Sequence, residues 1–245
     1  MGIKVQEELA AELSLGVPLM PWHTQRDNLA ELAGWLSLVS GSLAKLGQDI
    51  ILLAQTEVGE VRESSDRSRG GSSTMPQKSN PIVSELIIAA ARTNASLLSA
   101  MHQALVQEHE RATHGWQVEW LTLPQMFALT SAALNKAVFL SQNLEVNEAR
   151  MSQNVAASNG LMLAEVINFA LTTAHMDRAE AKQLIKEACQ VVTNEGRHLV
   201  DVVQEKANVF IEWDSIDWQA LKDETAYFGS SEAFINRVLH EAEKI

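Results

Sequence analysis

Apolar residues recur three and four positions apart along most of this chain. Between Arg26 and Thr56 the series Leu29, Leu32, Leu36, Val39, Leu43, Leu46, Ile50 and Leu53 keeps a heptad spacing without a break. Trp35, Leu38, Ile51 and Leu52 add a second apolar face. The spacing predicts a helix of roughly 45 Å that is buried on more than one side, in a bundle whose core continues into neighbouring subunits. A second long helix is expected over 81–111, with Ile82, Leu86, Ala90, Leu97, Met101 and Leu105 in its stripe. A third is expected over 118–142, on Leu121, Leu129, Ala133 and Val138. Gly115 reads as the break before it, and Pro124 as a kink or as its true start.

Residues 3–15 read as the tail of another helix, on Val5, Leu9 and Leu13, ended by Gly16, Pro18 and Pro21. The chain is thus expected to begin inside an architecture. From Asn147 the helices shorten, to about 147–157, 160–174, 178–193, 196–206 and 231–243. Asp177 with Glu180 resembles a capping box, and 213–227 reads as loop with a short helical turn. No strand pattern is evident. The fold class is all-α: a central long-helix bundle over 1–146, interrupted by a loop at 63–80, then a smaller C-terminal helical domain over 147–245.

Composition narrows the functions. The 245 residues are 46% apolar, enough for a sizeable core. The net charge of −12 argues against a nucleic-acid partner, which wants a basic face. Cys189 stands alone, so no intrachain disulfide forms and a reducing compartment fits. A charged N-terminus is no signal peptide, and no apolar run approaches the length needed to span a bilayer. A cytoplasmic protein with no membrane partner is expected. The seven His are scattered, without H-E-x-x-H or C-x-x-C, so no metal and no cofactor is expected.

The chemistry gathers in Gly70-Gly71-Ser72-Ser73-Thr74-Met75-Pro76-Gln77-Lys78-Ser79-Asn80-Pro81. Two glycines let the backbone turn and approach a ligand. Ser72 and Ser73 bring hydroxyls, and successive turn N–H groups form an anion-binding concavity. Lys78 adds a positive charge. Asn80 is placed as an N-cap and Pro81 as the first helical residue, so the loop is expected to end at the positive pole of a helix. A plain polar connector is the ordinary alternative for such a stretch. The full string is more specific: it resembles the signature G-S-S-x-M-P-x-K-x-N-P of the fumarase/aspartase superfamily, at Gly71, Ser72, Ser73, Met75, Pro76, Lys78, Asn80 and Pro81.

That resemblance implies a fold, an assembly and a reaction. Members of the superfamily join bundles into a homotetramer with a twenty-helix core, and each active site draws on three subunits. They also carry an upstream segment with two further bundle helices and a histidine that is the partner acid/base. That segment is not found here, so the N-terminal part of the family fold is expected to be missing, and this chain alone to be inactive or completed by another. The superfamily makes or breaks a bond β to a carboxylate through an aci-carboxylate intermediate. Ser72 matches the catalytic serine. Ser73, Lys78 and Asn80 are placed to bind the carboxylate that gathers charge.

Four strings resemble the cycloisomerases that lactonise an unsaturated tricarboxylate: Pro21 to Asp27, Gly71 to Pro81, Gln107 to Arg111, and Trp116 to Trp120 with Glu119. The adenylosuccinate lyases are the rivals, but Trp116 and Trp120 stand where those enzymes hold a nucleotide phosphate, which an apolar ring cannot bind. Gln25 matches a substrate-contacting glutamine. Arg26 and Arg111 are candidates to grip two of three substrate carboxylates bidentately, with a salt bridge between bundle helices as the alternative for each. His23, Thr24, His109 and Trp116 are possible pocket residues, with structural packing as the alternative. Asp66, Arg67 and Arg69 read as solvated loop charges. A C–N or C–O lyase of the same superfamily, and a catalytically silent helical assembly module, are the competing functions.

Overall fold

The computed structural model describes residues 1–64, 79–207 and 216–244. Ser72, Ser73, Lys78, Asp66, Arg67 and Arg69 lie outside the described residues. The chain divides into two units, Met1–Asn147 and Glu148–Ile245.

In the first unit a short helix, α1 (Gly2–Glu12), precedes three long ones: α2 (Asp27–Leu53), α3 (Ile82–Gln103) and α4 (Gly115–Asn143). The long helices pack pairwise. Two corrections concern their ends. The second helix stops at Gln103, not near 111, and the chain then turns through positive φ at His109 and Ala112. Gly115 does not break the third helix but begins it, and the helix runs on through Pro124. A side chain at Gly115 would collide with the Gln107 amide, whose Nε2 bonds the Ala104 carbonyl. The Gln107 side chain would have to swing away to admit it.

The seam between the helices is not the leucine series. Of the eight heptad residues on α2, only Leu36 and Ile50 are buried; their companions in the buried line are Ala30, Ala33, Ser40 and Gly47. A side chain at Gly47 would come within 3.1 Å of the Ser84 carbonyl of α3. Small residues therefore draw the backbones together, and the large ones turn elsewhere. Ala33, Leu36, Met101 and Met126 form the core cluster, flanked by Leu29, Leu97, Leu98 and Leu123. Trp35 and Leu38 on α2, Leu86 on α3, and Leu121 and Val138 on α4 are exposed.

A polar knot ties the three helices. Asn94 of α3 donates to Ser40 Oγ at 3.1 Å and to Thr130 Oγ1 at 2.9 Å. Each hydroxyl passes its own proton back to a carbonyl one turn earlier, Ser40 to Leu36 at 3.0 Å and Thr130 to Met126 at 2.8 Å. By length and composition α2 and α3 are each long and apolar enough to cross a bilayer, which corrects the sequence expectation.

A two-stranded antiparallel sheet, which the sequence did not suggest, joins β1 (Val61–Glu63) to β2 (Leu144–Val146), with Glu63 opposite Leu144. Val61 and Glu63 point inward and Arg62 outward, where it pairs with Glu145 at 2.5 Å.

The second unit contains α5 (Glu148–Ala156), a 3-10 turn at Leu161–Leu163, α6 (Ala164–Thr173), α7 (Arg178–Glu195), α8 (Leu199–Ala207), 3-10 turns at Ala220–Lys222 and Glu224–Tyr227, and α9 (Ser231–Ala242). Asp177 caps α7 by accepting from the Ala179 and Glu180 amides at 2.8 and 3.3 Å, and Gly196 ends it with φ of +68°. Leu163, Ile167 and Leu171 meet Ile185, Val192 and Val200 in the core of this unit.

Candidate active site

Two stretches of the first unit that lie far apart in sequence meet at the start of α4. The turn before α2 supplies Trp22 to Arg26, and the first helical turns of α4 supply Trp116, Glu119 and Trp120. Arg26 places Nε 2.8 Å and Nη2 2.6 Å from the two carboxylate oxygens of Glu119. Their side chains are only 12% and 5% exposed. The hydrogen bonds to Glu119, opposed by desolvation and aided by its charge, raise the Arg26 guanidinium above its already high ordinary value. The fork expected to grip a substrate carboxylate is engaged by Glu119, and the inter-helix ion pair is what the structure shows for Arg26.

The rings form a stair beside this pair. Trp22 and His23 lie 6.4 Å apart, His23 and Trp116 stack at 5.7 Å, and Trp116 and Trp120 follow at 6.2 Å. Trp116 donates its indole N–H to the His23 carbonyl at 3.2 Å, and the Arg26 guanidinium sits 5.7 Å over the Trp22 ring. Trp116 is half-buried, while Trp22, His23 and Trp120 are exposed. Thr24 is half-buried within this segment and Gln25 is exposed. The ion pair and the indole bond together fix the backbone that carries the Gln25 amide.

The turn after α3 is braced separately. Glu108 accepts from the Thr113 amide at 3.0 Å and hydroxyl at 2.9 Å, and its other oxygen lies 2.8 Å from His114 Nδ1. Desolvation would push the Glu108 carboxyl up, but the Thr113 bonds and the neighbouring His114 outweigh it and hold the carboxyl below its ordinary value. His109 and Arg111 stand exposed on this turn, and Arg111 has no partner among the described residues. Its guanidinium is open to an anion in a way that Arg26 is not.

The start of α3 differs from the expectation. Pro81, not Asn80, sits at the cap, and no local side chain closes the helix end. Asn80 is half-buried and its carbonyl accepts from the Ile82 amide at 2.9 Å. The cap comes from Glu63, whose Oε2 accepts from the Val83 amide at 3.0 Å and whose Oε1 accepts from the Ser84 amide at 2.8 Å and hydroxyl at 2.7 Å. The positive pole that was to face a ligand therefore faces a carboxylate of this chain. Neither Glu63 nor Ser84 was singled out from the sequence. A three-residue strand is too short to announce an inward-facing acid.

Among the described residues no group of three or more His, Cys, Asp or Glu side chains is arranged to hold a metal ion.

Comparison with known proteins follows these contours. Residues 2–94 match the family described as Lyase, and residues 160–238 match the family described as Adenylosuccinate lyase C-terminus. The 3-carboxy-cis,cis-muconate cycloisomerase of Pseudomonas aeruginosa is 43% identical over 98% of this chain and 52% of its own length. Trans-aconitate decarboxylase 1 of Mycosarcoma maydis is 38% identical over 97% of this chain and 48% of its own length. The crystal structure of the 3-carboxy-cis,cis-muconate lactonizing enzyme from Pseudomonas putida superposes with a TM-score of 0.86 at 39% identity, covering 98% of this chain and 52% of that one. The chain thus spans about half the length of the relatives it matches.

Proposed function

The chain belongs to the fumarase/aspartase superfamily, and on that premise we propose that it serves a 3-carboxy-cis,cis-muconate cycloisomerase, an intramolecular lyase making 4-carboxymuconolactone in the protocatechuate branch of aromatic degradation. The observation that carries this reading is the ring stair Trp22–His23–Trp116–Trp120. It supports the reading because apolar rings, poor partners for a phosphate, stand along this segment.

In the proposed reaction a substrate carboxylate oxygen adds to the neighbouring double bond and closes a five-membered lactone. The π electrons move onto a second carboxylate as the aci-form. Ser72 then gives its hydroxyl proton to the adjacent carbon and is reprotonated from solvent. The substrate's atoms are rearranged and none is lost. Donors fixed before the charge develops lower such a barrier by several kcal/mol; Ser73, Lys78 and Asn80 are the groups proposed for this. Gln25, held by the Arg26–Glu119 pair, and Arg111 are the proposed contacts to the remaining carboxylates, with Thr24, His23, His109 and Trp116 around them.

The proposed assembly is a cytoplasmic homotetramer with composite sites. The exposed apolar positions of α2, α3 and α4 support it, since in water they call for partner helices. The Mycosarcoma relative supports the substrate class more than the reaction: both names denote unsaturated tricarboxylates.

The test is incubation of the assembled enzyme with 3-carboxy-cis,cis-muconate, following diene absorbance, beside adenylosuccinate and trans-aconitate. Loss of the diene with lactone formed supports the proposal. Fumarate from adenylosuccinate, or carbon dioxide from trans-aconitate, would replace it with a lyase or decarboxylase. Silence toward all three would leave an assembly module.

A further inference from the structure

We propose that Glu119 is a positioning residue for substrate binding: through Arg26 it holds the turn that presents Thr24 and Gln25. The inference rests on the proposed activity, in which Gln25 contacts a substrate carboxylate.

Two attachments bracket these residues. Trp116 and Glu119 stand three apart on α4, hence on one face of the helix. Trp116 donates its indole N–H to the His23 carbonyl at 3.2 Å. Glu119 receives the Arg26 fork, Nε at 2.8 Å and Nη2 at 2.6 Å. Thr24 and Gln25 are the residues between the two anchored ones. Inside the turn the Gln25 amide donates to the Trp22 carbonyl at 3.2 Å. On the far side the Arg26 carbonyl accepts from the Leu29 and Ala30 amides of α2 at 3.0 and 3.2 Å. Two bonds from one guanidinium to both oxygens of one carboxylate favour a single relative orientation. With side chains 12% and 5% exposed, the pair is a poor source of stability, since apolar residues of similar volume serve as well. What it supplies is geometry. Gln25 remains exposed between the anchors. A glutamine on a loose turn would lose freedom at each binding event, and a turn already fixed loses less.

Glu119→Gln keeps the shape and leaves Arg26 in place, while weakening the hold on it. In the assembled enzyme KM for carboxymuconate is expected to rise about tenfold, the loss of one hydrogen bond to a charged group, with kcat changed much less. Gln25→Ala should raise KM by a similar factor. The two changes together should do no more than Gln25→Ala alone, because Glu119 acts through Gln25. A combined rise of about a hundredfold, or an unchanged KM in either single variant, would overturn the proposal. Where Glu119→Gln does not assemble, Arg26→Met with Glu119→Leu takes its place in the same cycle. That change removes both charges, so neither is stranded. Wild-type protein inert toward carboxymuconate would sink the proposed activity alone. Hydrogen exchange at the Gln25 amide then decides on Glu119: faster exchange in Glu119→Gln supports the tie, and an unchanged rate refutes it.

Discussion

Arg26 and Glu119, 93 positions apart, meet as a two-pronged ion pair that pins the turn before α2 onto the first turns of α4. Both side chains are withdrawn from water, so the pair holds the two segments in register, while either charge left alone would be costly. Arg26→Met is expected to destabilise the protein by about 3 kcal/mol, because it strands the Glu119 carboxylate. Adding Glu119→Leu should recover most of that loss. Denaturant unfolding of the two single variants and the double variant checks this; additive losses would contradict it.

The Asn94 knot is a separate source of cohesion. Asn94→Ala removes both donations to Ser40 and Thr130 and leaves a small cavity among three helices. A loss of about 2 kcal/mol is expected in urea unfolding followed by helix signal. A change below about 0.5 kcal/mol would mean that the hydroxyl-to-carbonyl bonds alone hold this layer.

Much of this architecture was legible in the chain, and the failures have physical causes. The long helices follow from heptad spacing. Their seam was misphased because periodicity gives weight to large residues, whereas Ala33, Ser40 and Gly47 make the close approach. Asp177 could be read as a cap because its partners lie two and three residues on. Glu63 could not, because its partners lie 20 and 21 residues on. At the site, His23 and Trp116 were legible as pocket candidates, while the pairing of Arg26 with Glu119 depends on a fold contact that no local pattern encodes.

In the second unit Gly160 sits in a tight place. Gly160 has φ of +76°, and a methyl group there would stand 2.6 and 2.7 Å from the His198 ring. Gly160→Ala should therefore lower stability by about 1–3 kcal/mol, through both strain and displacement of the ring. Thermal unfolding measures it; an unchanged transition would show that the ring moves aside freely.

The Glu108 turn should respond to acid. Its carboxyl is held below its ordinary value in the folded protein, so its contribution is present above the usual carboxylate range and is lost as pH falls through the lowered value. The Thr113 amide resonance should shift with that titration in NMR spectra. A midpoint at or above the ordinary glutamate value would contradict the bracing seen here.

The central claim is that one hydroxyl, that of Ser72, delivers the proton which completes lactone formation. Its most direct test is turnover of 3-carboxy-cis,cis-muconate by the assembled Ser72→Ala enzyme, read as loss of diene absorbance. The account predicts a fall of about a thousandfold or more with the oligomeric state unchanged. Retention of wild-type turnover by that variant would contradict it.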